Sequence, residues 1–242
     1  MTLQIKNLSY SYKNSDPILS NLSINIQKGE FVSLIGKSGC GKSTLFKLIT
    51  GLLHPDSGEI LIGNKKATIG TFGYMPQRDL LLPWRTVLEN LMLVAEIRKD
   101  SGFTKDTART WLKKVGLSDW ETAFPSELSG GMKQRVAFLR TILMGSDILL
   151  LDEPFGALDS FTKREMQSWL LSIWKELDKT ILFITHDIEE AIILSDKIMI
   201  FHQQHFLEEL RISLPRPREV EMVHSTKIQE YRKELEKRIS NG

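Results

Sequence analysis

The chain has 242 residues, of which 41% are hydrophobic and 26% charged. That length fits one large domain, or one domain carrying a subdomain, and the apolar content suffices for a packed core, which excludes intrinsic disorder. Lys+Arg 32 against Asp+Glu 30 leaves a net charge of +2, too balanced for the electrostatic footprint of a nucleic-acid binder, so no nucleic-acid partner is expected.

Leu3, Ile5 and Leu8, then Leu22, Ile24 and Ile26, follow the alternation of half-buried strands, and Asn14-Ser15-Asp16-Pro17 supplies a turn between them. The chain is expected to open with antiparallel sheet. A continuous apolar run over 31–35 leads into Gly36-Lys37-Ser38-Gly39-Cys40-Gly41-Lys42-Ser43. Its three glycines allow a tight curl that aims backbone N–H groups inward, where they and the next helix start act on phosphate as partial positive charge. Lys42 would reach the β- and γ-phosphates, and the Ser43 hydroxyl would ligate Mg²⁺. The bland alternative is a mere glycine-rich turn. A helix is predicted over 44–50, closed by Gly51, with Thr44 counted among the nucleotide-binding residues, and short strands are predicted near 59–62 and 72–75.

Residues 86–144 change character, with helical spacing over 86–99, 105–115 and 131–144 and breaks at Gly102, Gly116 and Pro125. This reads as an α-helical subdomain inserted between strands of one sheet. Beyond it, predicted strands at 148–151, 180–184 and 197–201 alternate with helices at 161–177 and 187–194, the order of a covered parallel sheet. The first of these strands ends in Asp152-Glu153, and ligands bind at such carboxyl edges. Asp152 would face the metal. Glu153, pointing elsewhere because side chains alternate along a strand, would polarise an attacking water. A solvated strand end or a cap before Pro154 is the competing explanation. Leu128-Ser129-Gly130-Gly131-Met132-Lys133-Gln134-Arg135 starts a helix whose free N–H groups form a second anion site, or else is an ordinary serine cap.

The order of phosphate loop, Gln77, the Ser129 segment, Asp152-Glu153, Ala157-Leu158-Asp159 and His186 resembles the ATP-binding-cassette ATPases over about residues 1–215. The resemblance implies an α/β fold of the P-loop NTPase type. It has a mainly parallel core sheet, an N-terminal antiparallel β subdomain and the helical insertion at about 86–144. It implies ATP and Mg²⁺ as bound species: Tyr12 stacks on adenine, residues 36–44 hold phosphate, and Ser43 with Gln77 completes the metal site that Asp152 supports. Glu153 becomes the general base, His186 contacts the γ-phosphate, and Lys42 and Gln77 are counted with them as catalytic. Ser129, Gly130 and Gly131 would cover nucleotide held by a second copy of the chain, and Asp159 would signal across that interface.

Leu80-Leu81-Leu82-Pro83-Trp84-Arg85 and Leu214-Pro215-Arg216-Pro217-Arg218 resemble subunits that energise import of nitrate, sulfonates, taurine and related solutes. In such systems the Trp84 surface receives a short helix from an integral membrane permease, fed in turn by a solute-binding protein; packing within the helical subdomain is the alternative. Residues 216–242 read as a tail with helical intervals over 219–239. One cysteine excludes an internal disulfide, and no apolar stretch approaches the roughly 18 residues needed to span a bilayer. The chain is therefore expected at the cytoplasmic face of the membrane, as a peripheral subunit. A cassette ATPase of a non-transport complex, serving cluster assembly or nucleic acid, is the second functional reading.

Overall fold

A computed structural model of the chain describes residues 2–13, 15–99, 102–156, 158–202, 207–216 and 218–240. Asn14 of the expected turn, Ala157 and Pro217 lie outside the described residues, as does the Val220 side chain. Strands β1 (Leu3–Ser11) and β2 (Pro17–Ile26) pair antiparallel, and β3 (Phe31–Gly36) and helix α1 (Lys42–Ile49) follow. The strands β4 (Ser57–Ile62) and β5 (Lys65–Lys66) complete an antiparallel sheet of order β2-β1-β4-β5. After β6 (Gly73–Met75) come helices α2 (Val87–Arg98), α3 (Lys105–Lys114) and α4 (Gly130–Leu143). The remainder runs β7 (Ile148–Asp152), α5 (Ser160–Leu177), β8 (Thr180–Ile184), α6 (Ile188–Leu194), β9 (Lys197–Phe201), β10 (Leu207–Arg211) and α7 (Thr226–Ser240). A second sheet of order β10-β9-β3-β8-β7-β6 is parallel from β9 to β6.

Strands β7, β8 and β9 are buried at every position, which is why they read as unbroken apolar runs rather than alternations. Their side chains still divide by the strand period of two. Phe31, Leu149, Leu151, Ile181, Phe183, Ile198 and Ile200 face one core, shared with α2 to α7. Val32, Leu34, Ile148, Leu150, Leu182, Ile184 and Met199 face the other, shared with α1 and the antiparallel sheet. In that sheet the β1–β2 register shifts between Ile5 and Leu8, and Asn7 and Asn21 take positive φ of 50° and 52°, a conformation asparagine tolerates better than most residues. Their N–H groups are taken by the hydroxyls of Ser23 at 3.0 Å and Ser9 at 2.9 Å.

Two features differ from the expectation. Strand β10, antiparallel on β9, is an edge strand with three charges in five residues, Leu207-Glu208-Glu209-Leu210-Arg211, so its pattern is weak. The interval 219–239 is not one helix: a 3₁₀ segment at Val220–His224 ends at Ser225, whose extended backbone starts α7. The segment leading there is held by Arg218, which is buried and donates to the carbonyls of Ile192, Ser195, Ile212 and Leu214. Its neighbour Arg216 stacks 4.2 Å over Trp174 and bonds Asp196.

Phe183 packs between Phe31 and Phe155, with ring centroids 5.8 and 5.7 Å away. Phe183→Ala should lower unfolding stability by about 3–5 kcal/mol, read from the midpoint shift in urea; a loss under about 1 kcal/mol would mean that this core collapses around the gap.

Candidate functional site

The loop between β3 and α1 is shaped by contacts that exclude side chains. A Cβ on Gly36 would lie 2.5 Å from the Phe201 carbonyl, and Gly41 has φ +103° with Ile18 and Leu19 side-chain atoms 3.0 Å from the same position. Gly41 is also the cap position of α1, and no side chain caps that helix. Helices α2 to α6 each take one, from Thr86, Thr104, Ser129, Asp159 and Asp187 respectively. The first-turn N–H groups of α1 thus stay available to an external anion, where helix dipole and backbone donors act together. Lys42 is buried, and its ammonium donates to the Gly36 and Lys37 carbonyls at 2.8 and 3.0 Å, with the Cys40 sulfur 3.5 Å away. Tyr12 and Thr44 share a hydroxyl contact of 3.3 Å, and Tyr12 meets Tyr10 edge to face at 5.0 Å while staying exposed.

Two carboxylates stand at the end of β7. The Ser43 hydroxyl donates to Asp152 at 3.4 Å. Burial, with Glu153 alongside, holds the Asp152 carboxyl above the usual carboxylate range, against the opposing pull of Ser43, Lys42 and Lys47. Burial likewise pushes the nearby Tyr74 phenol up to about 12, with the Asp152 charge adding to it. A buried acid beside a hydroxyl, both hard oxygen donors, suits Mg²⁺, which ordinarily takes one or two protein groups and completes its shell with substrate phosphates and water.

Glu153 departs from the expected reason for its direction. Strand β7 ends at Asp152, and Glu153 lies in the left-handed region at φ 47°, although it precedes Pro154, which ordinarily drives the preceding residue extended. Such a backbone costs about 1–3 kcal/mol and persists only when its surroundings impose it. Here the Glu153 N–H donates to the Ile184 carbonyl at 3.0 Å and its own carbonyl accepts from Gly156 at 3.1 Å. The turn, not strand alternation, carries the carboxylate to its partners: the Gln77 amide donates to it at 3.0 Å, and His186 Nδ1 lies 3.6 Å away.

Ser129 and Asp159 belong to a separate group. Ser129 is exposed, and its hydroxyl accepts from the Met132 N–H at 3.3 Å. Gly130 is open, whereas a Cβ on Gly131 would strike the Thr162 methyl at 2.5 Å. Asp159 accepts the Phe161 and Thr162 N–H groups at 3.0 Å each, and the Thr162 side chain, with these backbone bonds adding to it, holds its carboxyl below the usual range. The α4 start and the Asp159 turn therefore abut through Thr162.

Sequence reasoning missed two residues that shape the segment after Gln77. Arg140 donates to the Asp79 and Leu80 carbonyls at 2.7 and 2.9 Å. Asn90, fully buried, accepts the Leu82 N–H at 2.8 Å and donates to the Arg85 and Thr86 carbonyls at 3.0 Å. A polar residue on the buried face of α2 was the available signal. Between these clamps Leu81 is buried, while Leu80 and Trp84 are 59% and 70% exposed.

A family model described as ABC transporter matches residues 19–156. Similar proteins include the formylaminopyrimidine import ATP-binding protein ThiZ of Halalkalibacterium halodurans, 44% identical over 98% of this chain and 94% of its own. The aliphatic sulfonates import ATP-binding protein SsuB of Bacillus cereus is 39% identical over 100% and 97%. Among solved structures, a dimeric post-hydrolysis ATP-binding cassette bound to ADP and Pi superposes with a TM-score of 0.78 at 32% identity, covering 88% of this chain and 100% of that one. This chain belongs to the ABC transporter family, as an ATP-binding, ATP-hydrolysing subunit of the importer type.

Proposed function

We propose that two copies of this chain clasp MgATP between them and use its hydrolysis to drive a small solute through a separate membrane permease. The observation that carries the reading is the Glu153 carboxylate, set by a left-handed turn against Gln77 and His186. A base held there can take a proton from water attacking the γ-phosphate. Lys42, the α1 N–H groups and residues 36–44 hold the phosphates, Tyr12 stacks on adenine, and His186 contacts the γ-phosphate. Ser43, Asp152 and Gln77 would hold Mg²⁺, which when bound neutralises charge on the phosphate oxygens.

Ser129, Gly130 and Gly131 present the α4 N-terminus to the nucleotide of a second copy, and Asp159, abutting them through Thr162, reports across that interface. The dimeric cassette bound to ADP and Pi supports this arrangement by likeness. The core domain spans about 1–215, with its helical subdomain at about 86–144, and residues 216–242 form a tail. Leu80 and Trp84, apolar and exposed beside Gln77, receive the permease. Core packing accounts for Leu81 but not for these two. Among the described residues no helix is long and apolar enough to cross a membrane; in keeping with the import subunits it is similar to, the chain would sit peripherally on the cytoplasmic face. A solute-binding protein captures the cargo, in the nitrate, sulfonate, taurine or vitamin-precursor class, and nucleic acid plays no part. The import names of the similar proteins favour transport over a cluster-assembly or nucleic-acid role.

Glu153→Gln keeps the side-chain shape and removes the base, so turnover should fall by about a hundredfold or more and MgATP should convert the variant to a stable dimer in light scattering. Parent-level hydrolysis would remove Glu153 from this role. Trp84→Ala should weaken association with the permease by about tenfold, measured by co-purification from membranes; undiminished assembly would return Trp84 to a packing role.

A further inference from the structure

Beside the His186 loop lies a charged cluster that none of the nucleotide contacts use. Lys163, in the first turns of α5, places its ammonium 2.7 Å from Asp187 Oδ2 and 2.7 Å from Glu190 Oε1. Glu190 is 5% exposed, and its carboxylate also accepts from Gln167 at 3.2 Å and from the Thr185 hydroxyl. Thr185 in turn accepts the Asp187 N–H at 3.0 Å. Asp187 uses its other oxygen to cap α6, accepting from Glu189 and Glu190 N–H groups at 2.9 and 3.2 Å. His186 therefore stands between two residues whose side chains are both fixed by one network, while its own imidazole is exposed and faces Glu153 at 3.6 Å.

The same lysine belongs to the other half of the machinery. Its N–H donates to the Asp159 carbonyl at 2.9 Å, in the turn whose carboxylate caps α5 and whose Thr162 touches the Ser129 helix. One residue thus joins the Asp159 turn through its backbone to the His186 loop through its side chain. We propose that Lys163 is a positioning residue of the ATPase, tying the start of α5 to the His186 loop and holding the imidazole at the Glu153 carboxylate. Burial opposes its charge, yet the bonds to Asp187 and Glu190 outweigh that and hold its ammonium above the ordinary lysine value, while burial pulls the Glu190 carboxyl above the usual range against the opposing bonds from Lys163 and Thr185. The proposal deepens the reading given for His186 and rests on it.

Four variants of the full chain decide the matter, with kcat and KM for ATP measured beside thermal midpoint. Lys163→Met should lower kcat by about tenfold or more and leave KM within about twofold, because Lys42 and the loop between β3 and α1 hold most of the triphosphate and His186 adds a single γ-phosphate contact. Lys163→Arg, which keeps a donor for both carboxylates, should recover most of kcat. In Lys163→Met with Glu190→Gln the buried charge at position 190 is removed along with its cation, so the midpoint should return while kcat stays low. Parent kcat in Lys163→Met, or recovery of kcat together with the midpoint in the double variant, overturns the positioning role. His186→Ala at parental kcat overturns the underlying reading of His186, and with it the inference.

Discussion

The alignment of strand ends along one sheet edge is the constraint from which the rest of the site follows. In the parallel register Leu34 of β3 pairs with Ile184 of β8, Ile184 with Asp152 of β7, and Leu151 with Met75 of β6. The chain leaving β3 becomes the phosphate loop, the chain leaving β7 carries Glu153, the chain leaving β8 carries His186, and Gln77 follows two residues after β6. Residues separated by more than a hundred positions are brought together because their strands share a level, and the sheet is rigid because it is buried on both faces.

On that edge the backbone is held in conformations that the local sequence would not choose. Glu153 is left-handed before a proline, and a Cβ on Gly36 or Gly41 would strike the Phe201 carbonyl or crowd the Ile18 and Leu19 side chains. Buried strands on either side supply the hydrogen bonds and packing that sustain such geometry. The same logic separates two groups of side chains: the phosphate loop with its carboxylates, and the Ser129 helix with the Asp159 turn. Lys163 is the described residue that spans from the second group to the His186 loop.

Much of this was legible in the sequence because it is written locally. The glycine spacing of 36–43, the apolar run ending in Asp152-Glu153, and the Ser-Gly-Gly start of α4 each combine a motif with its flanking element. What was not legible depends on partners distant in the chain. The burial of Glu190 is tolerable only with Lys163, 27 positions earlier, and Arg218 is satisfied by carbonyls from the α6 end and the loop after β10. Strand β10 has no apolar alternation to announce it and exists through its pairing with β9. The direction of Glu153 was expected from strand pleating, but a turn set by Ile184 and Gly156 determines it, and neither neighbour is visible in a local pattern.

The central claim is that each nucleotide site is shared between two copies, one giving Lys42 and the other Ser129. Mixing Lys42→Ala chains with Ser129→Glu chains tests it most directly, since each variant alone would be defective at both sites of its own dimer. A mixed dimer would contain one site with both parental groups intact, so ATP hydrolysis by the mixture should rise well above the mean of the two separate samples. A rate that stays at that mean at every mixing ratio would contradict a shared site.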